Sequence, residues 1–380
     1  MNIRKNAAMH LLLLSIALLS PALMAHAGAP ARIRTLVFDA GESGSRFYRI
    51  PALAVAADGS IVALADKRGA SSRDLPNTIS VVSKRSTDGG RTWSEAVTIA
   101  QGDSASGRTF GDPAIVLDRR TGNLVSVFSG DTGFFYSTPE KPARFYVSIS
   151  RDNGQTWSEP RAILEDMYGK GWHGAFAASG HILQTRDGRL MFVANTRTTA
   201  KRDNTDVYEF LCVSSDGGET WQVANPEARI PADGKGNESM VAELADGTLL
   251  MSIRSRGARR FSRSTDGGST WTAAEVVPEL VEPDCNGDII VLEKTPGVML
   301  HSIPNNATDR RDVAIFASFD QGKTWPVKTL VSPGDAMYSS LAELPDGRIG
   351  CFVEEWNPEL KAFQLYFISL PVSELTDQSR

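Results

Sequence analysis

The chain has 380 residues, a formal net charge of −5 and 41% hydrophobic side chains, which is enough apolar material for a sizeable core and the wrong sign of charge for a binder of nucleic acid or other polyanions. Its three cysteines, Cys212, Cys285 and Cys351, lie far apart without metal-ligand or redox spacing; an odd number cannot be a complete disulfide framework, so buried free thiols are expected. Of its five histidines two fall within the first 27 residues, and His173, His181 and His301 form no HExxH-like cluster, so neither a metal nor another cofactor is expected.

The chain opens with Arg4 and Lys5, an apolar run from Leu11 to Met24 and a small-residue site at Ala25-His26-Ala27, the pattern of a secretory signal cleaved after Ala27. Ser15, Ser20 and Pro21 interrupt the run, which is short for a bilayer span. A periplasmic or secreted protein of residues 28–380 without a retained membrane span is therefore expected. Cleavage removes two positive charges and no acid, which leaves −7 on 353 residues.

Short apolar stretches then recur, each broken by a glycine turn: Leu53–Asp66 around Gly59, Leu183–Ala194 around Gly188 and Ala242–Ile253 around Gly247, with similar turns at Gly122, Gly297 and Gly347. Asp-Gly between β-rich segments is a strong hairpin signal. Between hairpins stand five copies of Ser-x-Asp-x-Gly-x-Thr-Trp, at 86–93, 150–157, 214–221, 264–271 and 318–325. From each of the first five turn glycines to the next box serine is 27, 28, 26, 17 and 21 residues, so one unit is a hairpin, two more strands and a box. Six such units of about sixty residues predict an all-β fold, a six-bladed β-propeller of four-stranded antiparallel blades in a single domain. No sixth box follows the last hairpin strand, Gln364 to Pro371. The segment Thr35 to Asp39 is expected to supply the last strand of that blade and close the ring.

The box aspartates, Asp88, Asp152, Asp216, Asp266 and Asp320, cannot all meet at one centre, so each is expected to cap its own turn, with the tryptophan pinning the turn to its neighbours. Chemistry is expected instead at the channel mouth, where inner strands and their loops converge near the hairpins. Arg49 in Tyr-Arg-Ile-Pro, Arg254 in Met-Ser-Ile-Arg-Ser and Arg310 in Thr-Asp-Arg-Arg stand at blade-related positions, and a guanidinium that cannot lose its charge calls for a carboxylate or phosphate partner.

Taken together, Tyr48-Arg49-Ile50-Pro51, the five boxes, Asn237-Glu238 before a Val-Ala-Glu-Leu-Ala-Asp-Gly hairpin, Arg254, and Tyr338-Ser339-Ser340-Leu341 before a Leu-Pro-Asp-Gly hairpin resemble the bacterial exo-sialidases with Asp-box repeats. The resemblance covers nearly the whole chain after residue 27. It implies that Arg49, Arg254 and Arg310 clamp a sialic acid carboxylate through charge-assisted hydrogen bonds. Arg310 is preferred to Arg311 because its eight-residue distance to Ser318 matches the family pattern. Tyr338 is implied as nucleophile and Glu238 as its base. A neutral phenol can approach an anomeric carbon that carries a carboxylate, whereas a carboxylate nucleophile would meet a like charge; an ordinary phenol needs a base within hydrogen-bond reach.

Asp74 is implied as acid/base, with a raised pKa from burial under the bound sugar; Asp66 is the alternative. The resemblance further implies Glu354 as the brace of Arg49, and Arg68 and Asp112 as contacts to the sugar's O4 hydroxyl. Met167, Trp172 and Phe176 are candidates for an apolar pocket, though such residues are more often core. Where many relatives carry Gly-Pro-Gly, this chain has Ala178-Ser179-Gly180, which changes local loop shape. The implied activity is retaining hydrolysis of terminal sialic acid from glycans by a monomer. Trans-sialylation and non-catalytic glycan binding are the alternatives.

Overall fold

Strand-forming runs separated by glycine turns give six antiparallel sheets in the computed structural model, which describes residues 32–377 except 70, 104, 169–171 and 202–205. The expected signal over residues 1–27 lies outside the described residues. In chain order the inner strands of the six blades are Phe47–Val55, Phe110–Asp118, Gly174–Ala177, Ser239–Glu243, Asp288–Val291 and Ala336–Glu343. Each is followed outward by two or three further strands of its own blade, and the architecture is a six-bladed β-propeller. Helical structure among the described residues is limited to two 3₁₀ turns, Glu42–Gly44 and Glu165–Met167, and the short helix Ser373–Thr376. None of the described helices is long and apolar enough to cross a membrane.

The ring closes as the sequence predicts. Ile33–Phe38 is the outermost strand of the sixth blade and pairs antiparallel with Ala362–Pro371, Ile33 opposite Ser369. The first and last parts of the described chain therefore share one sheet, in which the N-terminal strand stands as the blade's fourth strand and covers the outer edge of Ala362–Pro371.

The boxes are fasteners with a direction. In the first, the Gly90 amide donates to Ser86 Oγ at 2.9 Å, the Thr92 amide to Asp88 Oδ1 at 2.9 Å and the Thr92 hydroxyl to Asp88 Oδ2 at 2.6 Å. The bonds from Thr92 come first in holding the Asp88 carboxyl down at about 2, as expected of a capping aspartate. The fourth box position has positive φ throughout and is Gly89, Asn153, Gly217, Gly267 or Gln321. The glycine that follows always abuts the preceding blade: a Cβ on Gly90 would stand 2.1 Å from the Phe367 ring of the sixth blade, one on Gly218 2.6 Å from Val125 of the second, and one on Gly268 2.4 Å from Leu211 of the third. The core lies between blades in the same manner. Val127 and Phe145 of the second blade pack with Ala175, Phe192 and Phe210 of the third, and Leu53 and Ala63 of the first pack with Phe352 and Phe367 of the sixth.

One detail departs from expectation. The third blade's inner strand breaks at Ala178-Ser179-Gly180, and Gly180–His181 crosses to pair in parallel with Ala114 and Ile115 of the second blade before Leu183–Gln184 returns to its own sheet. Two sheets therefore have five strands rather than four. Gly180 has φ +122° and its backbone lies against the Met240 methyl, so the altered tripeptide coincides with a strand crossover. The ladder also fixes which end of the strands carries the chemistry. Val55 pairs with Ile61 beside the Gly59 turn, whereas Arg49 pairs with Asp66 at the far end. The candidate residues thus gather at the mouth opposite the hairpin turns, because an inner strand starts at one face and turns at the other.

Gly90→Ala should lower stability by about 3 kcal/mol, since it combines a methyl clash with a left-handed backbone. Gly247→Ala, at φ +89° with open space around it, should cost about 1 kcal/mol from backbone strain alone. Thermal unfolding of the two variants side by side checks this ranking.

Candidate active site

The mouth is built from the first residues of the inner strands. In the first, second and sixth blades the register slips at that point, between Arg49 and Ala52, Gly111 and Ala114, and Ala336 and Ser339. Such bulges re-aim side chains that regular pleating would send into the sheet faces. Ile50 and Asp112 take positive φ of +60° and +57° within them. Arg49, Asp112 and Tyr338 stand at these slips, and Glu238 and Asp284 occupy the approaches to the fourth and fifth inner strands.

Arg49 is fixed from the neighbouring blade. Its Nη2 and Nε donate to Glu354 at 2.5 and 3.2 Å, and the Ile50 amide donates to the same carboxylate at 3.1 Å. Glu354 is fully buried. Burial works against the Arg49 charge, but Glu354 outweighs it and holds the guanidinium above its already high ordinary value.

Across the mouth, the Tyr338 hydroxyl donates to Glu238 Oε1 at 2.8 Å, and Arg254 Nη1 reaches Glu238 Oε2 at 2.7 Å and the Tyr338 oxygen at 3.1 Å. Burial first, and then the Glu238 charge, hold the phenol well above its ordinary pKa, so the proton stays on tyrosine. The guanidinium carbons of Arg49 and Arg310 lie 5.5 and 5.8 Å from the Tyr338 ring centre. Three arginines therefore converge on one phenol. Arg311, by contrast, is exposed and paired with Asp312 at 3.0 Å, so Arg310 is the member of the pair that reaches the mouth.

A second cluster flanks the first. Arg68, fully buried, donates to Asp66 Oδ2 at 2.8 and 3.2 Å and meets Asp74 Oδ1 at 2.7 Å. Asp66 Oδ1 also accepts the Asp112 amide at 3.0 Å. Burial, with the charges of Asp66 and Asp74, raises the Asp112 carboxyl well above the usual range. Asp66 is inaccessible beneath Arg68 and cannot meet a substrate proton. Asp74 projects into the mouth with its side chain 73% exposed.

The upward shift of Asp74 is expected beneath a bound sugar, and the protein's own groups act in the opposite direction. Burial acts upward, but Arg68 and Arg49 outweigh it and hold the carboxyl below its ordinary value. Met167 and Trp172 are core residues packed with Phe145 and Phe210, while Phe176 is half-buried against Phe134.

Sequence reasoning missed Asp284. Its carboxylate accepts Arg254 Nε at 2.8 Å and Asn237 Nδ2 at 2.9 Å, and its carbonyl accepts Arg310 Nη2 at 2.9 Å. It ties two of the three arginines together from a left-handed backbone, φ +64°. The available signal was positional, since it precedes the fifth inner strand as Glu238 precedes the fourth. The three cysteines are free and buried, and Cys285 lies against Ile50 and Tyr338.

An anion-binding cluster of arginines beside a paired phenol and carboxylate, at the mouth of a six-bladed propeller, is a centre fit for acid–base chemistry on a negatively charged ligand. The chain belongs to the BNR repeat-like domain family, whose pattern it matches over residues 60–351. A sialidase of Micromonospora viridifaciens is 34% identical over 339 residues, covering 83% of this chain and 50% of that protein. A sialidase of Bacteroides fragilis is 30% identical over 249 residues, 61% of this chain and 44% of that one. The structure of a Hadza microbial sialidase superposes with a TM-score of 0.78 at 28% identity, over 89% of this chain and 68% of the other. These relatives agree with the resemblance read from the motifs. The chain spans about half the length of the curated relatives it matches.

Glu354→Ala should leave the Arg49 charge without its buried partner and cost about 3 kcal/mol in urea unfolding. Tyr338→Phe, which keeps the ring, should cost only about 1 kcal/mol.

Proposed function

We propose that the protein is a retaining exo-α-sialidase, with residues 28–380 as the mature single-domain, monomeric enzyme exported to the periplasm or beyond. The observation that carries this reading is the hydrogen-bonded Tyr338–Glu238 pair with Arg49, Arg254 and Arg310 around it. In this reading the three guanidinium groups take the carboxylate of a terminal sialic acid and orient the anomeric carbon over the Tyr338 oxygen.

As the phenol attacks, its proton passes to Glu238 Oε1 and Arg254 stabilises the developing negative charge on oxygen. Asp74 protonates the departing glycosidic oxygen and a tyrosyl–sugar bond forms with inversion; Asp74 then takes a proton from the water that breaks this bond with a second inversion, while Glu238 returns its proton to the departing Tyr338 oxygen. Asp112, beside Asp74, is the group that offers its carboxyl to a ring hydroxyl, and Arg68, fully buried, braces Asp66 and Asp74 behind it.

Two of the cations that depress Asp74 are Arg49 and Arg310. A substrate carboxylate in the clamp offsets both, so Asp74 rises in the complex and can hold a proton there. Protonated Asp74 is the competent form, and its fraction falls as pH rises through its pKa. The alkaline limb of the kcat/KM profile, which reports the free enzyme, should accordingly lie at lower pH than that of kcat. Coincident or reversed limbs would remove Asp74 from the acid role.

The first test is hydrolysis of a fluorogenic sialoside beside Tyr338→Phe, with sugar release followed by NMR. Release of the α anomer first, and a loss of kcat on the order of 10³-fold or more in the variant, are expected. Transfer to an added glycan in preference to water would make the protein a trans-sialidase. Saturable sialic acid binding by a folded wild type without turnover would leave a glycan-binding propeller.

A further inference from the structure

An inner strand of a propeller blade is paired on one side only, so its other edge turns backbone amides and carbonyls toward the channel, where each needs a partner. Below the mouth one set of groups supplies several of these partners at a single level. The Leu53 amide of the first blade donates to Ser340 Oγ of the sixth at 3.2 Å. The Leu341 amide and the Ser340 hydroxyl donate to Asp288 Oδ2 of the fifth at 2.7 and 3.3 Å. The Ile115 carbonyl of the second accepts the Ile182 amide of the third at 3.0 Å.

The third blade's crossover ties this level together. Asn286 Nδ2 donates to the Ser179 carbonyl and hydroxyl oxygens at 3.0 and 2.9 Å. His181 Nδ1 is hydrogen-bonded to Asp288 Oδ1, which also accepts the Ile289 amide at 2.8 Å. The third and fifth blades are not neighbours in the ring, so these bonds pass in front of the fourth and span the channel. Beyond them, toward the turn face, a cavity of about 550 Å³ opens beside Leu53, Ile115, Ile289 and Leu341. The strand edges therefore have room to move if the contact is lost.

A carboxylate as buried as Asp288 is costly without a cation beside it, and His181 stands in that place. Burial works against the imidazolium, but Asp288 outweighs it and raises the imidazole above its ordinary value. The imidazolium is thus present at acid pH and is lost as pH rises through the raised value. The strands packed on the crossover carry their other titratable groups at their ends. Phe47–Val55, Phe110–Asp118 and Ala336–Glu343 hold Arg49, Asp112 and Tyr338 at the mouth, with Asp118 and Glu343 toward the turns; Ser239–Glu243, which meets Gly180 through Met240, carries Glu243.

Tyr338 itself has no partner in the ladder, because the register slips between Ala336 and Ser339. What fixes it begins at the next residue. The Ser339 hydroxyl donates to Ser302 Oγ at 2.8 Å, and Asp288 takes Ser340 and Leu341 from the channel side. We propose that His181 and Asp288 are positioning residues: they form a strut across the channel that holds the strand of Tyr338, and so set the reach of its phenol to Glu238 and to the anomeric carbon. Both act from below the mouth, through Tyr338. That Tyr338 reacts with a sugar rests on the sialidase reading; that the strut holds it does not. A misplacement of well under 1 Å at a reacting oxygen is enough to slow its chemistry severalfold.

The test uses two variants of the mature protein. His181→Leu removes the donor, and His181→Asn restores it, since the Asn amide nitrogen stands where Nδ1 does. On a fluorogenic sialoside His181→Leu should lower kcat about tenfold with KM within about twofold, because the arginine clamp keeps its own partners, and His181→Asn should lie within about threefold of wild type in both. A rise in KM as large as the fall in kcat, or an unchanged kcat in a folded Leu variant, would overturn the strut. The second arm needs neither turnover nor the Leu variant. In protein carrying ¹³C at tyrosine Cζ, the Tyr338 resonance, identified by its loss in Tyr338→Phe, should shift as pH rises through the His181 titration, and that step should be missing in His181→Asn, where nothing titrates at this position. The same step in both proteins, or none in either, would overturn the proposal. A wild type that turns over no sialoside would remove the sialidase reading alone, and the resonance would still decide whether His181 positions Tyr338.

Discussion

Three guanidinium groups around one phenol repel each other, and the rest of the mouth is arranged to hold them there. Like charges this close cost several kcal/mol unless opposite charges share the same low-dielectric space. Glu354 meets Arg49, Glu238 and Asp284 meet Arg254, and the Asp284 carbonyl takes Arg310. The partners come from different blades: Glu354 from the sixth holds an arginine of the first, and Asp284 before the fifth holds one that follows the second strand of the fourth. The ring therefore has to close before the centre exists, and the pairing of Ile33–Phe38 with Ala362–Pro371 is as much a condition of the site as any residue within it.

The division of labour along each strand follows from the same constraint. At the turn face, the Asp boxes supply repeated contacts in which a glycine of one blade presses on an apolar side chain of the blade before it. Those contacts are alike around the ring and carry no chemistry. At the other face the blades differ, and the register slips in the first, second and sixth blades aim Arg49, Asp112 and Tyr338 inward at the cost of left-handed backbone at Ile50 and Asp112. In these three inner ladders the slip falls at the mouth end and the pairing runs regularly from there to the turn, so the strain at Ile50 and Asp112 lies where the chemistry is expected.

Much of this was legible in the sequence because it is written in local units. The boxes repeat, so their aspartates read as turn caps, and the hydrogen bonds of Asp88 bear that out. The missing sixth box pointed to the N-terminal strand as the closing element. Arg310 separated from Arg311 by its distance to the next box, and it is Arg310 that reaches Tyr338.

What failed was non-local. Nearness in sequence to a hairpin says nothing about which end of a strand a residue occupies, so the face that carries the mouth was left open. Asp284 acts through a positive φ and through side chains from another blade, neither of which leaves a sequence signature. The depressed Asp74 carboxyl depends on Arg68, six residues earlier, folding beneath it while Arg49 approaches from the inner strand; composition around Asp74 suggested only a polar loop.

The central claim is that the Tyr338 oxygen, activated by Glu238 and flanked by the arginines, forms a bond to the substrate's anomeric carbon. Incubating the mature protein with a sialosyl fluoride fluorinated at the adjacent carbon, which slows release of such an intermediate, and mapping the trapped protein by peptide mass spectrometry tests this directly. The account predicts one added sugar, on Tyr338, and none in Glu238→Leu. A sugar attached to any other residue, or steady turnover of the reagent with no trapped species, would contradict it.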